Sequence, residues 1–267
     1  MVAFAGNSLL CRLALKHTAI DPATFTAVRL SSGAAMLWLL VRLRAPGAHG
    51  RGNWPSALAL VAYAAGFSFA YVSLSAATGA LLLFGAVQAT MIGVGVARGE
   101  RLRALQTAGL VLALGGLGGL LLPGLTAPPL GAAALMLGAG IAWGIYSLRG
   151  RSGGDPTRVT AGNFLRATPL GLACALPWVS RGTADAAGIA YAVASGALAS
   201  GVGYAVWYSV VPALKATRAA VVQLSVPVIA TLGGAVLLGE TVTLRIALAS
   251  VAILVGIALA IGAVRRA

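Results

Sequence analysis

Residues 80–122 read ALLLFGAVQATMIGVGVARGERLRALQTAGLVLALGGLGGLLL. Two apolar runs flank a short basic segment, Arg98 to Arg103. Each run is close to the roughly 20 residues that cross a bilayer's hydrocarbon. Neither run alternates as a strand would, and neither shows the polar face of a surface helix. The stretch therefore predicts two membrane-spanning helices joined by a basic loop.

The rest of the chain extends this reading. Of 267 residues, 59% are hydrophobic and 9% charged, whereas a soluble domain has about a quarter of its residues charged. Ten apolar segments are predicted to span: Val2–Leu15, Pro22–Val41, Pro55–Ser73, Gly79–Ala97, Ala104–Leu122, Leu130–Leu148, Thr160–Val179, Gly188–Val210, Ala219–Leu238 and Leu244–Val264. Pro46, Gly47 and Gly50, then Pro123, Pro128 and Pro129, then Gly150, Gly153, Gly154 and Pro156 punctuate the loops. The first segment is short for a span, which points to a true start upstream of Met1. No cleavable leader is expected from the opening residues, which lack a basic start. Cys11 and Cys174 sit in apolar segments and are expected to be buried packing residues, not a disulfide.

The net charge of +14 is spread between the apolar segments, which argues against nucleic acid and for membrane orientation. One set of alternate loops holds 13 basic residues: Arg42, Arg44, Arg51, Arg98, Arg101, Arg103, Arg149, Arg151, Arg158, Lys215, Arg218, Arg265 and Arg266. The other holds 4: Arg12, Lys16, Arg181 and Arg245. The richer side is expected to be cytoplasmic, which places both termini there.

The opening stretch has an echo. Residues 220–262 read AVVQLSVPVIATLGGAVLLGETVTLRIALASVAILVGIALAIG, and Gly99-Glu100 falls on Gly239-Glu240. Asp21-Pro22 pairs with Asp155-Pro156, and Arg29 with Arg166, at slightly shorter shifts. Two copies are expected, residues 1–124 and 130–265, each with five helices. Because five is odd, the second copy enters the bilayer from the opposite side. The fold class expected is an all-α membrane protein of ten transmembrane helices in two inverted-topology five-helix repeats. Such halves suit alternating access around a site at their interface.

Several stretches carry a family likeness. YVSLSAATGALLLFGAVQ, GERL and LQTAGLVLALGG in the first copy resemble the block from third to fifth helix of EamA-type permeases in the drug/metabolite transporter superfamily. KATRAAVVQLSVPVIATLGGAVLLGETVTLRIALASVAILVGIALAIG resembles the same block more closely, and AGNSLLCRLALKHTAIDPATFTAVRL resembles the first two helices. The resemblance implies a multi-pass protein of a bacterial-type cytoplasmic membrane. It implies transport of small metabolites, amino acids or drug-like amphipathic compounds, often outward. The chain departs from the pattern where Val87 and Gln88 replace the first copy's mid-helix proline.

Polar or aromatic groups on apolar helices are costly against lipid and mark an interior. The cavity candidates are Asn7, Tyr63, Phe67, Tyr71, Gln88, Trp143, Tyr146, Tyr204, Trp207, Tyr208 and Gln223. Tyr63, Phe67 and Tyr71 recur every four residues, and Tyr204, Trp207 and Tyr208 follow i, i+3, i+4, so each set shares a helix face. The competing readings are an interfacial aromatic belt or packing. Arg29 and Arg166 are read as structural groups that bond nearby carbonyls, with binding of an anionic substrate as the other reading. Pro227 is a kink or hinge candidate, and Glu100 and Glu240 are helix-end structural residues. Gly115-x-x-x-Gly119 and Ala252-x-x-x-Gly256-x-x-x-Ala260 are expected to pack helices or a homodimer.

The acids Asp21, Glu100, Asp155, Asp185 and Glu240, with His17 and His49, all fall at segment ends or in loops. A proton relay thus has no mid-membrane carrier, and facilitated diffusion or exchange is the simpler expectation. There is no nucleotide-binding G-x-x-x-x-G-K-[ST] loop and no metal-ligand spacing, so no cofactor or metal is expected. A lipid-acting enzyme would need a nucleophile with its base or paired carboxylates, and neither constellation occurs. A non-transporting helical scaffold remains the other alternative.

Overall fold

The computed structural model describes residues 1–43, 50–99, 101–124, 127–150, 154–178, 184–210 and 222–262. Glu100, one of the candidate structural residues, lies outside them, as do several loop residues used above (Arg44, Arg151, Arg181, Lys215, Arg218, Arg265, Arg266, Pro46, Gly47, His49 and Gly153). Among the described residues the chain is helical and contains no strand.

Ten helical segments follow in order: α1 Val2–His17, α2 Pro22–Leu43, α3 Trp54–Tyr71, α4 Ala76–Ala97, α5 Ala104–Leu121, α6 Leu130–Arg149, α7 Pro156–Ala175, α8 Ala186–Val210, α9 Ser225–Leu238 and α10 Leu244–Gly262. Six of these (α2, α4, α5, α6, α8 and α10) are long and apolar enough to cross a membrane. Exposed valines and leucines such as Val111, Leu248 and Leu198 stud their outer faces. Such a surface is at home only in lipid.

Local chemistry sets the helix boundaries. Asp21 accepts hydrogen bonds from the Ala23 and Thr24 amides, and Asp155 from those of Thr157 and Arg158. In both cases a proline opens the helix, where its missing N–H costs nothing. The two Asp-Pro pairs matched in sequence therefore do the same job. Gly99 and Gly239 also correspond: φ is +94° and +62°, and each follows the end of a helix, α4 or α9. Only glycine enters that region readily. At α8, Asp185 accepts from the Gly188 amide, which holds its carboxyl below its ordinary value.

Pro227 sits nearer a helix start than expected. Val222 and Gln223 are helical, Leu224 is a turn, and α9 resumes at Ser225. Proline cannot donate to the carbonyl four residues back, here that of Gln223, which accounts for the break. α4, with Val87 at the matching position, runs unbroken.

The principal packed pairs are α5 with α10, α2 with α7, α3 with α6, α4 with α6, and α2 with α8. Exchanging each helix for the one five places along maps these onto pairs that also pack, α1 with α8, α1 with α9 and α3 with α7. The α5–α10 contact rests on small residues other than Gly115 and Gly119. A Cβ on Gly109 would lie 2.5 Å from the Gly256 carbonyl, and one on Gly116 would lie 2.9 Å from Ala252, whereas Gly115 and Gly119 face open space. Gln106 donates across this contact to the Ala260 carbonyl. Cys11 is buried as expected, but Cys174 is exposed on α7.

Candidate functional site

The middle of the bundle holds an aromatic column to which both halves of the chain contribute. Trp143 on α6 stacks on Tyr146, with centroids 5.3 Å apart and planes at 22°. It also meets Tyr63 of α3 at 4.8 Å and Tyr204 of α8 at 5.1 Å. Tyr63 continues to Phe67 and then to Tyr71 along α3. Phe4 of α1 contacts Trp143, Tyr204 and Trp207 edge-on. Each such pair contributes about 0.5–1.5 kcal/mol beyond its buried area.

A polar chain threads this column. Ser195 donates to the Asn7 side-chain carbonyl, Asn7 Nδ2 donates to the Tyr63 hydroxyl at 3.3 Å, and Arg29 Nη2 donates to the same oxygen at 3.0 Å. The chain joins α8, α1, α3 and α2. The Arg29 guanidinium lies over the rings of Tyr63 and Phe67, 5.1 and 4.9 Å from their centroids. Arg29 is 1% exposed, and among the described residues its Nε and Nη1 have no hydrogen-bond partner. The Ser200 hydroxyl is likewise buried without one.

The two matched arginines therefore meet different surroundings. Arg166 is half-buried and donates to the Arg51 and Gly162 carbonyls. Arg29 bonds no carbonyl; a phenol and two ring faces hold it.

Ser195 and Ser200 lie on a π-helical stretch of α8, Ala194–Val202. Such stretches often accompany functional sites. Here the Ser-Gly pair repeats after five residues, at 195–196 and 200–201, which matches the i→i+5 bonding of a π turn. Gly196 packs against the Arg29 carbonyl and Ser32, and Gly201 against Met36. The repeat thus presses one face of α8 onto α2 and turns both serines into the interior.

Polar clasps close the column beyond either end of α3. At one end Arg12 Nε meets Glu240 Oε1 at 3.0 Å, and Arg12 Nη1 donates to the Tyr71 and Val72 carbonyls. Glu240 Oε2 accepts from the Ala76 amide at 2.8 Å, which ties the end of α9 to the start of α4. At the other end Asn53 caps α3 and its amide donates to Asn163. Arg149 of α6 reaches Ser56 and Asn53, and Asn163 also donates to the Tyr146 hydroxyl.

Of the candidates, Asn7, Tyr63, Phe67, Tyr71, Trp143, Tyr146 and Tyr204 converge on the column. Trp207 and Tyr208 lie half-buried at its edge, reached through Phe4 and Tyr204. Gln88 does not join them. It lines a separate shallow crevice among α4, α5 and α10, with Gly85, Ala113 and Ile257. Gln223 is half-buried just before the α9 break, away from the column's contacts. Phe4, Ser195, Asn163 and Arg12 belong to the site but were not singled out in the sequence. Among the described residues no cluster of His, Cys, Asp or Glu could hold a metal.

The chain has relatives. A family model described as the EamA-like transporter family matches residues 130–262. A Pseudomonas aeruginosa protein described as uncharacterized protein PA1977 is 60% identical over 260 residues, which cover 97% of this chain and 91% of that protein. A solved crystal structure shares the fold with a TM-score of 0.66 at 20% identity, covering 97% of this chain and 96% of that one.

Proposed function

This chain belongs to the EamA-like transporter family, part of the drug/metabolite transporter superfamily, and we propose that it is a secondary transporter working by alternating access. Members of the family are transporters rather than enzymes, and a multi-pass membrane protein handling small molecules follows from membership. The finer reading is our own. Small metabolites, amino acids or drug-like amphipathic compounds cross the cytoplasmic membrane by export or exchange. Residues 1–124 and 130–265 act as two inverted repeats, with both termini cytoplasmic.

One observation carries the reading: the polar-threaded aromatic column lies where α1, α2 and α3 meet α6 and α8, with a clasp beyond each end. Opening the Arg12–Glu240 clasp would free one end, and opening the Asn53–Arg149–Asn163 clasp the other. Transport needs them to open in turn, never together. The Asp-Pro caps, the paired left-handed glycines and the exchange-symmetric packing support a duplicated design. The break before Pro227 supplies a hinge in one copy that α4 lacks.

Solute counterflow in proteoliposomes tests this. Trp143→Ala and Tyr204→Ala are expected to cut exchange at least about tenfold, since losing a buried aromatic stack of about 1.4 kcal/mol or more is a factor of ten in affinity. Membrane abundance should hold. A solute panel that exchanges no faster than in empty vesicles, with folded protein present, would remove the transport function.

A further inference from the structure

Among the described residues, a cation stands at the centre of the column without an anion to meet it. Arginine stays protonated in proteins, so Arg29 carries a full charge. It lies seven residues into α2, about 10 Å from the helix start, and is almost wholly buried. Among the described residues its one hydrogen bond is to Tyr63, a neutral phenol.

Each described carboxylate is engaged elsewhere. Asp155 and Asp185 cap helices, and Glu240 is held by Arg12 and the Ala76 amide. Asp21 caps α2 through Oδ1, at the helix start and eight positions before Arg29, with its Oδ2 buried and unpartnered among the described residues. Ring faces offset part of the desolvation cost of a cation, but they accept none of its directed hydrogen bonds. Two guanidinium nitrogens are thus left with open donors. Buried charges are ordinarily paired, and an intramembrane arginine without a partner marks a functional position.

The surroundings narrow what such a partner is. Trp143, Tyr146, Phe67 and Tyr204 offer ring faces and edges for a flat or apolar body. Asn7 and Ser195 add neutral hydrogen-bonding groups. Among the described residues no acid bonds Arg29, and Glu240, at the Tyr71 end of the column, is already held by Arg12, so a second positive charge brought beside Arg29 would be repelled.

We infer that Arg29 is the anion-binding centre of the transport site and that the substrates are organic monocarboxylates with an aromatic or apolar body and no ammonium group. The inference rests on the transporter reading and narrows its substrate class. The carboxylate takes the open guanidinium donors while the body lies against Trp143 and Tyr204. Tyr63, tied to Asn7, positions the guanidinium.

The test compares paired probes on the purified full chain. Acetate, benzoate, phenylacetate and naphthoate are matched with their amides, with phenylglycine as the zwitterion and benzylammonium as the cation. Ligands that bind the folded state raise its melting temperature. Aromatic carboxylates should raise it, and amides, zwitterion and cation should do so at least about tenfold less potently, as expected on losing a charge-assisted hydrogen bond. Arg29→Met should abolish the carboxylate shift. Arg29→Lys, a point charge without the planar fork, should weaken it. Equal protection by acid and amide, no protection by any carboxylate, or a full shift in Arg29→Met would each overturn the proposal. If Arg29→Met does not fold, the acid–amide comparison in wild type and the Arg29→Lys titration decide. Counterflow separates the two levels. Exchange of amides but not acids leaves the transporter and removes the anion site, whereas binding of acids without exchange of any solute does the reverse.

Discussion

At the scale of single residues, the ion pair and the unpaired arginine play opposite parts. Arg12 and Glu240 lie near a helix end with side chains 12% and 9% exposed, and each has further backbone partners. A pair so placed holds a shape without a great loss of solvation, and it can open. Glu240→Gln keeps the side chain's form and its acceptor oxygen for the Ala76 amide but removes the charge facing Arg12. The charge-assisted bond is worth about 1.5–3 kcal/mol, so the closed form should open about ten times more often. Cys11, buried one residue from Arg12, reports this. In a Cys174→Ala background, maleimide should modify Cys11 about tenfold faster in Glu240→Gln than in the parent. An unchanged rate would mean that the clasp does not gate the column. Sequence reading found Glu240 through its match with Glu100 but left Arg12 as one more loop charge. The two are 228 positions apart, and no local pattern links them. Arg29 and Arg166 failed to separate for a related reason. A shift between copies pairs positions but says nothing of what each position faces once the copies close on each other.

At the scale of elements, helix existence was plain from the sequence and helix faces less so. Long apolar runs with Asp-Pro starts and glycine stops define the helices by local chemistry, and most boundaries fall within a few residues of expectation. A helix with no polar side, however, has no periodicity to show which face meets protein. α5 illustrates this. It offers Gly109, Gly115, Gly116, Gly118 and Gly119, and only contacts with α10 distinguish Gly109 and Gly116 from the rest. Gln88 shows the same ambiguity, since its polarity on α4 is consistent with either the column or the crevice beside α5. The π stretch of α8 did leave a trace, the Ser-Gly pair recurring at five. Gly256→Val should force α5 and α10 apart, because a Cβ there falls 2.5 Å from both the Ala113 nitrogen and the Gly109 carbonyl. Backbone cannot yield as a side chain can, and overpacking of this kind costs about 1–3 kcal/mol. The melting temperature of purified Gly256→Val should drop by several degrees, while Gly115→Ala and Gly119→Ala, with nothing within 4 Å, should melt with the parent. Equal losses at all three positions would place the α5 contact on a different face.

At the scale of the whole molecule, an unpaired buried cation has a kinetic consequence. Moving the empty carrier between its inward and outward forms carries an uncompensated Arg29 charge through the low-dielectric middle of the bundle. Loading with a monocarboxylate neutralises that charge, and the loaded carrier moves as a closed dipole. Insertion scales put an isolated arginine at mid-bilayer at about 2.5–3.5 kcal/mol. If even half of that falls on the reorienting step, loaded carriers turn over about tenfold faster than empty ones. Exchange should therefore outrun net flux. The described acids lie at helix ends, so no proton carrier in the column offers another route to neutrality. In proteoliposomes preloaded with unlabelled benzoate, entry of labelled benzoate should be about ten times faster than into vesicles without it. Imposing a membrane potential should change net entry but leave one-for-one exchange as it was, because the loaded form crosses without net charge at the site. Equal rates with and without internal substrate would mean that Arg29 keeps its compensation throughout the cycle, with the aromatic faces and Tyr63 sufficing alone. The anion would then owe its place to shape rather than to charge.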